Sequence, residues 1–236
     1  MSQVLPLAIS IAVLSLPALA TSQDKNVKAQ SEPEGFVLIE ETVPVDLKQL
    51  PIDMLQNAAT DFSAKNLGET AADLRAAARV FRLEAKQAQS GDHHLLNAAV
   101  DLDKLASDVR NDSLKSPDEF HARVAKAFYH AAAHHRIQAQ RSWDNKRYHN
   151  AGDDLRASAT AADLAAQWTG KDLAASNKAS IDKARKVADQ LVMGEGWSTS
   201  DVVAAFDNLE GAEGRIAGKV MPSSDKAKAS ESSPEI

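Results

Sequence analysis

Residues 116–168 read SPDEFHARVAKAFYHAAAHHRIQAQRSWDNKRYHNAGDDLRASATAADLAAQW, and this stretch decides the fold. Ser116 with Pro117 and Glu119 is a capping box, in which the serine side chain and the glutamate three residues later each accept a backbone N–H of the first turn. The pattern predicts a helix from residue 117 to about Asp144 and a turn near residues 145–147. A second helix over 148–168 then folds back on the first.

Outside this hairpin, apolar side chains recur at helical spacing, and the Val/Ile/Thr alternation that is typical of strands is almost absent. Five further helices are predicted, over about 51–65, 66–89, 93–110, 172–193 and 200–220. The sequence therefore predicts an all-α protein, an antiparallel helical bundle of about seven helices.

A sequence match at an offset of 81 residues indicates an internal repeat. Asp73-Leu-Arg-Ala76 is identical to Asp154-Leu-Arg-Ala157, and Phe62 matches Trp143. The match predicts two repeated three-helix units, about 46–112 and 116–193, followed by a C-terminal helix. The alternative is that two Ala-rich amphipathic helices match through composition alone.

The two ends of the chain differ from the predicted bundle domain, which covers residues 46–220. Residues 1–20 contain no charged side chain and end in Ala18-Leu-Ala20, a pattern typical of a cleaved signal peptide. The alternative is an uncleaved anchor, which Pro6 and Pro17 disfavour. Residues 21–45 are predicted to be a flexible linker with a short extended segment, and residues 221–236 a disordered tail.

Composition excludes several classes of function. The net charge is −6 and both signs are spread along the chain, so no nucleic-acid groove is indicated. The chain contains no Cys, which excludes disulfides, thiol catalysis and a lipid-modified cysteine. No catalytic motif and no Gly-rich phosphate loop is present, so the sequence predicts that the protein is not an enzyme.

Histidines are the one concentration of chemically reactive side chains. All seven lie between His93 and His149, and the fourth predicted helix carries His121, His130, His134 and His135. His130 and His134 are four residues apart and share a helix face, so they are predicted to bind a transition-metal ion. His93 and His94 at the start of the third helix are possible additional ligands. The alternatives are hydrogen-bonded core histidines and a response to pH.

These patterns predict an exported, non-catalytic protein, a binding or structural module of the cell envelope whose partner is another envelope protein. The alternative is a periplasmic carrier of a metal ion or small ligand that uses the histidines of the fourth helix. Apart from that possible metal ion, no cofactor is expected, and no stable membrane span is expected after the signal is cleaved. A role at a lipid surface ranks third, because the charge balance is acidic.

Overall fold

In a computed structural model, which describes residues 48–88, 93–114 and 116–221, the chain forms seven α-helices and no strand within those ranges. The helices are α1 (Leu50–Ser63), α2 (Leu67–Ala88), α3 (His94–Arg110), α4 (Pro117–Asp144), α5 (Tyr148–Thr169), α6 (Lys171–Met193) and α7 (Thr199–Val220). The predicted all-α antiparallel bundle is confirmed. The predicted signal peptide (1–20), the linker (21–45) and residues 222–236 of the predicted tail lie outside the described residues.

Local capping signals place two of the helix starts. Ser116 has extended backbone geometry, and its hydroxyl accepts a hydrogen bond from the Glu119 amide at 3.3 Å, so α4 begins where the sequence predicts. Ser198 caps α7 through a full capping box with Asp201. The Ser198 hydroxyl accepts a hydrogen bond from the Asp201 amide, and the Asp201 carboxylate accepts one from the Ser198 amide. Both helix starts are therefore fixed by residues within one turn.

Helix α4 is the central element of the bundle. It packs against α3, α5 and α7, and α5 packs in turn against α6 and α7. As a result, α4 is buried on nearly every side between Val124 and His135. This position explains why polar side chains on α4 become core residues.

The turns after α1 and α4 have the same backbone geometry at an offset of 81 residues. Lys65 and Lys146 both adopt left-handed φ angles, 62° and 59°. In each turn the next amide donates to the carbonyl five residues earlier, Asn66 to Asp61 at 2.9 Å and Arg147 to Ser142 at 2.8 Å. Duplication of a three-helix unit stays a prediction, since shared turn geometry also arises from local chain chemistry.

The core is one hydrophobic cluster with members in all seven helices, and many of its members are alanines. Small side chains let helices approach closely. One close approach is at Gly152 in α5, where a Cβ atom would lie 2.7 Å from the carbonyl oxygen of Ala188 in α6. The backbones of α5 and α6 therefore lie close together at Gly152.

Candidate functional site

Two adjacent turns of α4 carry three buried histidines. His130, His134 and His135 are 3%, 1% and 2% exposed, because α3, α5 and α7 surround this part of α4. An imidazole removed from water must recover its hydrogen bonds or bind a metal ion. The neighbours of these three rings therefore decide what the site can do.

His134 and His135 meet a carboxylate from another helix. Glu84 of α2 is 8% exposed, and one possible ligand atom from each of the three residues lies within 4.8 Å of the other two. His135 Nδ1 lies 3.5 Å from a Glu84 carboxylate oxygen. We call Glu84, His134 and His135 the core cluster. It is the only group of three or more possible metal ligands in the described ranges.

The core cluster has the donor set of a transition-metal site. Two imidazole nitrogens and one carboxylate oxygen suit Zn²⁺, Cu²⁺ and Ni²⁺, and three protein ligands leave a coordination position for water or another ligand. The separation of up to 4.8 Å exceeds that of ligands gathered on one ion, so binding would draw the three groups inward. The ordinary alternative is a buried Glu84–His135 ion pair with no metal.

His130 has a different neighbour. Its Nδ1 lies 3.2 Å from Nδ1 of His94, the first residue of α3, and the two ring centroids are 5.5 Å apart. The Tyr129 ring lies beside both, 5.2 Å from His130 and 6.4 Å from His94. We call His94 and His130 the histidine pair.

The predicted ligands are thus divided between two places. His134 belongs to the core cluster, His130 belongs to the histidine pair with His94, and His93 is an exposed residue at the N-cap of α3. Metal binding at any of them stays a prediction. Glu84 and His135 were not predicted as members of the site.

A sequence signal for Glu84 existed. The apolar face of α2 includes Leu74, Ala77 and Phe81, and Glu84 follows Phe81 by three residues, so it falls on the buried face. A carboxylate at such a position needs a polar partner in the core. His135 offered a weaker signal, because on an amphipathic helix the residue next to a buried one is normally turned away.

A second buried polar group joins α4 to α5 and α7. Arg136 donates from Nε to a Glu213 carboxylate oxygen at 2.9 Å, and the Ser158 hydroxyl lies 3.5 Å from the other oxygen. The same hydroxyl donates to the Ala132 carbonyl at 2.9 Å. This group fixes α7 to the other two helices.

Electrostatics inside this second group follow from burial. Burial raises the pKa of Glu213, because the charge of Arg136 only partly offsets the lost hydration of the carboxylate. Burial also raises the pKa of Tyr129, and the negative charge of Glu213 adds to that effect. Glu213 was not predicted as a buried residue either, although it follows Leu209 by four residues on the apolar face of α7.

No helix within the described ranges combines the length and apolar character needed to cross a membrane. No protein-family model, curated protein or solved structure matches the chain. Function is therefore inferred from the side-chain geometry of this chain.

Proposed function

We propose that this chain is an exported, non-catalytic helical-bundle protein that binds a divalent transition-metal ion in its core. The observation that carries the proposal is the core cluster, in which two imidazoles of α4 and a carboxylate of α2 converge within 4.8 Å. Zn²⁺ is the representative ion, because it accepts this mixed N/O donor set without a redox change. Export is supported by residues 1–20, whose sequence is typical of a signal peptide.

Because the core cluster is buried, it indicates a metal site more strongly than three surface ligands would. All three residues are buried, so ionising the carboxylate without a partner is unfavourable. A divalent cation would balance the charge of Glu84 and use the lone pairs of both histidines. Binding would also link α2 to α4 and so stabilise the folded state.

Zinc titration of the metal-free protein tests the proposal. We expect wild-type protein to bind Zn²⁺ and to melt several degrees higher with Zn²⁺ than with EDTA, since a ligand that binds only the folded state raises its melting temperature. Glu84→Gln keeps the side-chain shape and removes the charge, and it should weaken zinc binding at least about tenfold. His121→Gln is the control, because His121 lies on the same helix beside Trp168 and outside the core cluster.

Equal zinc affinity in wild-type and Glu84→Gln protein, with both variants folded by circular dichroism, would contradict the core-cluster assignment. The remaining candidate would then be a partner-binding module of the cell envelope. Leu96 and Val100 favour that candidate, because they are 41% and 61% exposed and lie four residues apart on one face of α3. A molecular mass that rises with protein concentration would support it.

A further inference from the structure

The histidine pair has a geometry that the core cluster does not explain. His94 Nδ1 and His130 Nδ1 are 3.2 Å apart, and the two residues come from different helices. We propose that His94 and His130 form a second, outer site for a divalent transition-metal ion. The proposal goes beyond metal binding in the core, because the two sites share no residue.

The nitrogen–nitrogen distance matches the bite of a tetrahedral ion. Two imidazole nitrogens at about 2.0–2.1 Å from Zn²⁺, separated by the tetrahedral angle, are roughly 3.3–3.4 Å from each other. The observed 3.2 Å is close to that distance, so an ion would need to change the orientation of the rings more than their separation. Water would complete the coordination sphere, since the half-buried His94 leaves that side of the pair closer to solvent.

A simple hydrogen bond between two neutral imidazoles would give the same distance. In that case one Nδ1 carries a proton and donates a hydrogen bond to the other Nδ1. The two explanations differ in what a metal ion does: it would replace the shared proton and bind both nitrogens. A metal-binding experiment therefore distinguishes the two explanations, whereas the distance alone does not.

The outer site should bind more weakly than the core cluster. It supplies two neutral ligands and no carboxylate, and His94 begins α3, where the positive end of the helix dipole disfavours a cation. Weak binding would suit a position that a metal ion occupies on its way to the core cluster. His130 precedes His134 by four residues, about 6 Å of helix rise, so the outer site lies one turn of α4 from the core cluster.

Equilibrium dialysis of the full chain against Zn²⁺ tests the outer site. We expect wild-type protein to bind two ions, and both His94→Gln and Glu84→Gln to bind one. His93→Gln is the matched control, because it removes the neighbouring exposed histidine and should still bind two ions. His94→Gln changes a half-buried residue, and circular dichroism will show whether it folds.

Copper provides the second readout, which depends on ligand identity. The background is Glu84→Gln/His134→Gln, in which the core cluster keeps a single imidazole. Cu²⁺ bound to this protein should show electron paramagnetic resonance splitting from two nitrogens at one Cu²⁺ per chain, and adding His94→Gln should remove that signal. Two nitrogens that persist without His94 would overturn the outer site even if the stoichiometry agreed.

The outcomes separate the two proposals. One Zn²⁺ per wild-type chain that is lost in Glu84→Gln and retained in His94→Gln would overturn the outer site and leave the core site standing. One ion that is lost in His94→Gln and retained in Glu84→Gln would overturn the core site and support the outer one. No binding in any variant would overturn both.

Discussion

Glu213 shows how burial alters the pKa of a single side chain. It is 4% exposed, and its ion pair with Arg136 lies between α4 and α7. Because burial outweighs the attraction of Arg136, the pKa of Glu213 rises above its ordinary value of 4.5. The folded protein therefore holds a proton on Glu213 at pH values where the unfolded chain has released it.

This shift predicts the pH dependence of stability. A raised pKa in the folded state gives a stabilising contribution that is complete below about pH 4.5 and is lost as pH rises through the folded-state pKa. We expect the unfolding free energy of wild-type protein minus that of Glu213→Gln to fall as pH rises from 4 to 7. Urea unfolding of both proteins across this range measures it. A difference that grows with pH would show that Arg136 controls the ionisation instead.

The candidate site was only partly predictable from single residues. Histidine spacing pointed to His130 and His134, and the structure buries both. The spacing could not show that Glu84 of α2 faces His135, because helical periodicity identifies a buried face without saying which helix covers it. Tertiary packing supplied that information.

Among the elements, the two equivalent turns show a local conformational strain. Lys65 and Lys146 occupy left-handed backbone geometry, which is unfavourable for residues with a Cβ atom and ordinary for glycine. At the end of a helix this position is normally a glycine. Each lysine therefore makes its turn less stable than a glycine would.

Replacing Lys146 by glycine should stabilise the protein. We expect Lys146→Gly to raise the unfolding free energy by about 0.5–1 kcal/mol, because glycine removes the left-handed strain at a modest entropic cost. Lys65→Gly should act in the same direction. Arg147→Gly is the control, since Arg147 has an ordinary φ of −89° and should lose stability. A loss of stability in both lysine variants would show that the lysine side chains matter more than the backbone.

Helix ends were the most predictable feature of the elements. Ser116 and Pro117 fix the start of α4 through contacts within one turn, and the predicted end at Asp144 agrees with the structure. The predicted start of α3 at residue 93 also lies within one residue of the observed start at His94, although the His93 side chain makes no capping bond. A capping side chain therefore helps to predict where a helix begins but is not required for it.

For the whole molecule, the continuous core predicts cooperative unfolding. Leu102 of α3 is fully buried in the hydrophobic core, which also includes Ile216 of α7. All three tryptophans lie between residues 143 and 197, far along the chain from Leu102. Their fluorescence therefore reports on a different part of the chain from the one that a Leu102 substitution changes.

Leu102→Ala should destabilise the protein by about 2–5 kcal/mol, the usual effect of removing a buried leucine side chain. If the bundle unfolds as one unit, tryptophan fluorescence and circular dichroism should shift to the same lower urea midpoint. Leu96→Ala is the control, because Leu96 is on the same helix and 41% exposed. An unchanged fluorescence midpoint with a shifted circular dichroism curve would show that the two halves unfold separately.

The contact at Gly152 has a consequence for how this chain can change during evolution. A methyl group there would meet the backbone of Ala188, which cannot move aside as the tip of a flexible side chain can. Gly68, Gly214 and Gly218 have no atom within 4 Å of an added Cβ. Selection should therefore accept alanine at those three positions and remove it at 152, where one hydrogen atom in place of a methyl group sets the spacing between α5 and α6.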